Sequence, residues 1–331
     1  MDTNNVLSQI GNTPLIKLKQ PSELTGCNIY GKAEYFNPGE SVKDRAALFI
    51  VQDAIKKKLV SKGGTIVEGT AGNTGIGLAV VCKEYDLNLK IVIPNTQSIE
   101  KKQTLKKLGA ELIEVDAVPY SDPKNYIKQS KKIAEDLNKT SKFGVYWANQ
   151  FDNTINTDAH IKTTAEEIWN QTAGSIDGFT CAVGTGGTLA GVSIGLKSKN
   201  KNIKIALSDP MGSSLYSYIK NNKLETTGSS ITEGIGTGRI TKNFDKAIVD
   251  DAFQTNDEEA LNIVYDLIEN QKIVLGGSSG INIAGAIKLA KKLGPGKTIV
   301  TILCDHGKRY ASKIFNKEFL KSKNLPIPNW L

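Results

Sequence analysis

Short runs rich in β-branched residues alternate with helix-period stretches through most of this chain. That alternation restricts the fold to mainly parallel sheets wrapped by helices. Thr65–Glu68, Lys90–Pro94, Glu111–Val115 and Gly144–Trp147 read as strands, with helical periodicity near 75–86, 98–109 and 125–138 between them. A second set follows, with strands near 178–183, 204–208 and 298–304 and helices near 158–172, 187–199, 257–271 and 279–293. Two sets within 331 residues predict an α/β chain of two lobes with a cleft between them.

Two glycine-rich turns each join a strand to a helix, one in each set. They are Gly69-Thr70-Ala71-Gly72-Asn73-Thr74-Gly75 and Gly184-Thr185-Gly186-Gly187-Thr188. Glycine lets backbone N–H groups crowd around an anion at a helix N-terminus, where the helix dipole favours negative charge. Two such cradles suit a ligand with two anionic parts. Neither turn is a P-loop or a dinucleotide fingerprint. Gly294-Pro295-Gly296-Lys297-Thr298 imitates the end of a P-loop but precedes a strand, so it reads as a turn.

In Asn37-Pro38-Gly39-Glu40-Ser41-Val42-Lys43-Asp44-Arg45 a lysine directly follows a tight turn and opens an apolar-periodic helix through Ile55. Such a lysine is rigidly aimed. From spacing alone it is either a catalytic amine or a surface residue, just as the glycines serve turns, Ser278 a helix N-cap and Asn73 a turn.

Composition removes several function classes. The chain carries a net charge of +8, yet only Arg45, Arg239 and Arg309 of its 42 basic residues are arginine, the side chain that nucleic-acid readers favour. The lysines read as solvated helix faces, so no nucleic-acid partner is expected. Its only histidines are His160 and His306, too few for a multi-histidine metal cluster. Cys27, Cys82, Cys181 and Cys304 show no paired spacing and read as buried thiols. No apolar run approaches the roughly 18 residues of a membrane span, and the polar start Met1-Asp2-Thr3-Asn4-Asn5 is unlike a signal peptide, so the expected location is cytoplasmic.

These motifs, taken in order, resemble the cysteine synthase and cystathionine β-synthase family of fold-type II pyridoxal-phosphate (PLP) enzymes. The likeness runs nearly end to end. It starts at Ile10-Gly11-Asn12-Thr13-Pro14-Leu15 and passes through the lysine segment, both glycine turns, Gln150-Phe151, Glu233-Gly234-Ile235-Gly236 and Gly277-Ser278-Ser279-Gly280.

The resemblance implies a two-lobed fold like the tryptophan synthase β-chain. Residues 1–41 plus 156–331 would form the larger, phosphate-binding domain and residues 42–155 a smaller mobile one. It implies that Lys43 carries PLP as a Schiff base and moves the Cα proton. Gly184, Thr185, Gly186, Gly187 and Thr188 would hold the phosphate, Asn73 the ring hydroxyl, and Ser278 would face the pyridine nitrogen. Thr70, Ala71, Gly72, Asn73, Thr74, Gln150 and Gly234 would meet the amino-acid substrate. The implied reaction makes L-cysteine from O-acetylserine and sulfide through an aminoacrylate, in a homodimer, with serine acetyltransferase as a partner. The alternative consumes cysteine, releases hydrogen sulfide and forms lanthionine or cystathionine.

This chain departs from the family pattern in places. Ala71 stands where many relatives have serine, Asn153-Thr154-Ile155-Asn156, following Asp152, stands where they usually have Asn-Pro-Ala-Asn, and Thr163-Thr164-Ala165-Glu166 replaces Thr-Thr-Gly-Pro. Glu233 resembles the cystathionine-forming type and Gly238 the acetylserine type. An arginine fork binds a carboxylate, which sulfide lacks, so Arg239 reads either as a surface arginine or, with Glu233 nearby, as the recruiter of an amino-acid nucleophile. No regulatory tail or haem-binding extension is expected.

Overall fold

The computed structural model describes residues 5–331; most of the polar N-terminal stretch read above lies outside them. Its strands are β1 (Leu15–Lys17), β2 (Asn28–Ala33), β3 (Thr65–Gly69), β4 (Asn88–Pro94), β5 (Glu111–Val115), β6 (Val145–Trp147), β7 (Gly178–Cys181), β8 (Lys204–Pro210), β9 (Asp251–Thr255) and β10 (Thr298–Leu303). They form two sheets, β1-β2-β10-β7-β8-β9 and β5-β4-β3-β6. Only β1 runs antiparallel to its neighbour; all other pairings between these strands are parallel. Helices cover both sheets, as parallel strands buried on two faces require.

The smaller sheet centres one apolar cluster, with Ile66, Ile91 and Ile93 packed on Ile50, Leu78 and Leu105 from its helices. The larger sheet has clusters on both faces, one built on Phe179, Leu189 and Leu207 and the other on Ile29, Ile283 and Ile299. No helix among the described residues is long and apolar enough to cross a membrane.

Three strands lack a β-branched run and escaped the sequence reading: β1, β2 and β9. In β2, Gly31 weakens the strand signal, yet tertiary contact demands it, because a Cβ there would lie 2.5 Å from Leu303 Cγ. The expected helix near 158–172 is a continuous helix from Ile155 to Gln171 whose middle, His160–Ala165, opens into a π turn. The Thr163 hydroxyl donates to the Ala159 carbonyl at 2.6 Å, competing with the backbone ladder there.

The helix Lys43–Lys56 starts against a buried ionic network. Arg45 reaches Glu34 through Nε and Nη2, both at 2.8 Å, and Glu167 through Nη1 at 2.6 Å and Nη2 at 2.8 Å. Lys32 completes the balance at 2.6 Å from Glu167, while Thr13 and Asn37 donate to Glu34 at 2.7 and 2.8 Å. Arg45, Lys32 and Glu34 are buried, at 1%, 0% and 0% exposure. Burial alone would raise the Glu167 carboxyl, but the Arg45 and Lys32 hydrogen bonds outweigh it and hold it down at about 2. Arg45→Met strands Glu34 without its guanidinium and is expected to cost ~3–5 kcal/mol. A lower urea midpoint at unchanged slope is the readout, and a loss below ~1 kcal/mol would show the network to be dispensable.

Candidate active site

The carboxyl ends of β3, β7 and β10 and the helices that follow border a cavity of about 1000 Å³. Parallel sheets leave their strand ends open in this way, so side chains and helix N-termini converge there. Lys43, Thr70, Ala71, Asn73, Thr74, Gln150, Gly184, Thr185, Glu233, Gly234, Arg239 and Ser278 all line it. Gly186 and Thr188 line an adjoining hollow together with Lys43. Gly72 and Gly187 contribute to neither wall by side chain; they let their turns close. A Cβ would lie 2.7 Å from Lys101 Cδ at Gly72 and 2.1 Å from Asn156 Oδ1 at Gly187.

Lys43 is the first residue of its helix, and its amide donates to the Ser41 hydroxyl at 3.3 Å. The preceding Val42 amide donates to the Cys304 carbonyl at 2.9 Å, and Ser41 bridges Asp305, so the turn is stitched to the end of β10. Among the described residues the Lys43 amine makes no hydrogen bond or ion pair, and it faces both the cavity and the hollow.

The first glycine turn is braced on one side by Gln150. Thr74 donates its hydroxyl to Gln150 Oε1 at 2.5 Å, and Gln150 Nε2 donates to the Gly69 carbonyl at 3.3 Å. Gly72, at φ +126°, adopts a backbone that side chains resist, and its amide donates to the Thr70 hydroxyl at 3.1 Å. Asn73 is held by the segment after β10. Its Nδ2 donates to Asp305 at 2.6 Å and its Oδ1 accepts from Arg309 at 2.8 Å, which leaves the amide a second hydrogen.

The second turn is braced by residues that sequence reasoning missed, Asn156, Thr241 and Asn243. Asn156 Nδ2 donates both to the Gln150 carbonyl and to the Thr185 hydroxyl, each at 2.9 Å, joining one cradle to the other. Thr241 donates to the Thr185 carbonyl at 2.6 Å, and Asn243 donates to the Gln150 carbonyl at 2.9 Å. No motif marks these side chains, because each is an isolated polar residue with a partner 29 to 93 residues away along the chain.

Ser278 is the second residue of the helix Gly277–Leu293, whose N-cap is Gly276. It is therefore not the cap; it is buried and faces the cavity beside the Cys304 thiol. Cys304 is only half-buried, unlike the other three cysteines, since it forms cavity wall.

Glu233 and Arg239 line the rim with partners of their own. The Glu233 side chain, 7% exposed, receives Lys101 at 2.7 Å and Lys313 on its other oxygen. Arg239 forks onto Asp152 at 3.2 and 3.3 Å and stacks over the rings of Tyr120 and Phe151, at 4.3 and 5.4 Å. Five cationic side chains, Lys43, Lys101, Arg239, Lys313 and Lys323, line the cavity against one carboxylate, Glu233. The cavity thus favours an anionic guest.

The family described as pyridoxal-phosphate dependent enzyme matches residues 6–305. The chain belongs to this family. Among relatives of this PLP enzyme, a cysteine synthase 1 of Emericella nidulans is 50% identical over 97% of this chain and 87% of its own. A cysteine synthase of Dictyostelium discoideum is 44% identical over 98% and 87%. Of solved structures, an O-acetylserine dependent cystathionine beta-synthase from Helicobacter pylori aligns with a TM-score of 0.85 and 32% identity over 95% of this chain and 98% of that one. A hydrogen sulfide-producing enzyme from Fusobacterium nucleatum aligns with a TM-score of 0.83 and 35% identity over 93% and 99%.

The residues present fit the cofactor. The turn at Gly184–Thr188 closes only without side chains, since a Cβ would lie 2.2 Å from the Gly234 carbonyl oxygen at Gly184 and 2.5 Å from the Phe244 amide at Gly186. Its backbone amides open the helix Gly187–Lys199, and an amine, a hydroxyl and an amide stand around the adjoining cavity on Lys43, Ser278 and Asn73.

Glu68 supports this site from below. It is 1% exposed, and burial pushes its carboxyl up to about 8 despite hydrogen bonds from Gln150, Asn149 and Gly69. An unfolded chain releases that proton near the ordinary 4.5. Between these values the folded state holds a proton that the unfolded state has lost, so this group lowers stability as pH rises through the window. Glu68→Gln removes the slope. The variant-minus-parent melting temperature should therefore grow from about pH 5 to about pH 8, whereas a flat difference would mean that Glu68 is ionised in the fold.

Proposed function

We propose that this chain makes L-cysteine from O-acetylserine and sulfide by PLP-dependent β-replacement. The observation that carries the reading is the placement of one lysine, Lys43, at a fixed helix start facing two glycine-built anion cradles across a cationic cavity. When bound, PLP supplies the electron sink that makes a substrate Cα–H acidic and lets a β-substituent leave.

The residues divide the remaining work. Lys43 Nζ would hold the cofactor, and its amine stands where it would take and return the substrate Cα proton. Gly184, Thr185, Gly186, Gly187 and Thr188 hold the phosphate through amides and hydroxyls at a helix N-terminus. Thr70, Ala71, Gly72, Asn73 and Thr74 receive the substrate carboxylate, with Gln150 fixing the turn and Gly234 forming the facing wall. Backbone donors suffice where Ala71 lacks a hydroxyl. The second hydrogen of the Asn73 amide serves the ring hydroxyl. Ser278 would offer the ring nitrogen a neutral hydroxyl partner, an environment suited to β-elimination.

Sulfide as nucleophile is supported by the rim. The Arg239 fork that would greet an amino-acid carboxylate already engages Asp152, and Glu233 already carries two lysines. The unit on the smaller sheet, residues 42–155, closes over substrate against a larger unit of 1–41 plus 156–331, excluding water. The same reading carries a cytoplasmic homodimer that serine acetyltransferase recognises; light scattering on the purified protein checks the dimer.

Products are the decisive test. Incubation with acetylserine plus sulfide should yield cysteine faster than cysteine alone yields sulfide and lanthionine, and the reverse order would assign the cysteine-consuming reaction. Borohydride should fix cofactor on Lys43, and Lys43→Ala should lower turnover by at least about 10²-fold. Label on another lysine would sink the assignment. Arg239→Ala, removing a strut from the rim, should cut kcat/KM equally with sulfide and with homocysteine. A loss confined to homocysteine would make Arg239 the recruiter of a thiol amino acid.

A further inference from the structure

The buried His160 stands behind the proposed phosphate cradle, outside the cavity. It lies on the π turn, 1% exposed, with Nδ1 2.8 Å from the Thr164 hydroxyl and Nε2 3.2 Å from the Thr188 hydroxyl. The ring is held tightly because the helix Gly187–Lys199 presents glycine every fourth residue on the face it meets. A Cβ at Gly187 would strike Asn156, one at Gly191 would lie 2.5 Å from His160 Cβ, and one at Gly195 would lie 2.4 Å from Ala165 Cβ. Residues four apart share a helix face, so these glycines form a groove in which the π turn seats.

Burial pushes the His160 imidazole down to about 3, with the Arg45 and Lys43 charges acting the same way and Glu34 and Glu167 too weak to reverse it. The ring is therefore neutral and carries one N–H. One hydrogen between two hydroxyl partners makes the two contacts interdependent.

We propose that His160 is a positioning residue which, as the Nε2–H tautomer, turns the Thr188 hydroxyl toward the cofactor phosphate. The proposal rests on the reading of Gly184–Thr188 as the phosphate cradle. A phosphate oxygen can only accept, so Thr188 must donate its single hydrogen to it. The Thr188 oxygen is then free to accept from Nε2–H, and Thr164 fills the Nδ1 lone pair with its own hydrogen. In the other tautomer Nδ1–H points at Thr164, Nε2 draws the Thr188 hydrogen toward itself, and the phosphate loses a donor. The phosphate thus sets the sense of the chain: Thr188 donates to it, Nε2–H donates to Thr188, Thr164 donates to Nδ1, and a side chain that never touches the cofactor shapes its grip.

Nitrogen-15 NMR of the histidine-labelled holoenzyme tests this directly, because the chain holds only His160 and His306 and His306→Gln identifies the second. His160 should be protonated at Nε2 and bare at Nδ1; protonation at Nδ1 overturns the proposal. A fluorescence titration of apoenzyme with PLP adds the energetic arm. His160→Phe should weaken cofactor binding roughly fivefold to tenfold, as loss of one oriented hydrogen bond predicts. His160→Gln, which keeps an amide donor near Nε2, should restore most of it. In a Thr188→Val background His160→Phe should change little. An equal loss in both backgrounds would reduce His160 to packing and overturn the proposal. Failure of the parent chain to bind PLP would instead sink the cofactor-site reading, so the two are separable.

Discussion

The guanidinium of Arg45 is the contact on which the site depends. It lies two residues beyond Lys43 in the same first helical turn, and it is buried against two carboxylates from elements far apart in sequence. A buried charge stripped of its partner costs several kcal/mol, so this arrangement tolerates almost no rotation or slippage. The helix start is thereby fixed on Glu34, just after β2, and on Glu167 beyond the π turn. With Ser41 and Val42 stitched to the end of β10, the lysine amine projects into the cavity from a turn held on every side.

The two cradles are coupled by the same logic of buried polar groups. Asn156 and Asn243 both satisfy the Gln150 carbonyl, and Asn156 also holds Thr185, so movement at one turn is felt at the other. Around the cavity mouth the contacts differ in kind. Lys101 to Glu233, Arg239 to Asp152 and Asn73 to Asp305 are polar and ionic. Such contacts exchange with water more readily than apolar ones, which suits the closure proposed above.

Much of this was legible before the fold was known. The strands with β-branched runs, the helices behind them and the two glycine turns are encoded in local periodicity and in residues whose backbone freedom is their signature. Strands β2 and β9 were illegible because Gly31 in one and Asp251 and Gln254 in the other interrupt the β-branched pattern; Leu303 requires the glycine and Lys220 and Lys292 pair the aspartate. The π turn was hidden for a related reason: its sequence is helical, and the features that accompany the turn, the Thr163 hydroxyl on the Ala159 carbonyl and the glycine groove of the facing helix, are visible only in the fold.

By itself the sequence determined which groups are available: one lysine on a tight turn, two anion cradles, a serine opening a helix, and three arginines. It could do so because glycine, lysine and serine carry their chemistry in the residue itself. Tertiary structure alone decided what each polar group is paired with. It put Arg239 on Asp152, Glu233 between two lysines, Asn73 between Asp305 and Arg309, and His160 behind Thr188. Hydrogen bonds and ion pairs act over about 3 Å, and their partners here stand up to 236 residues apart along the chain, so no local pattern records them.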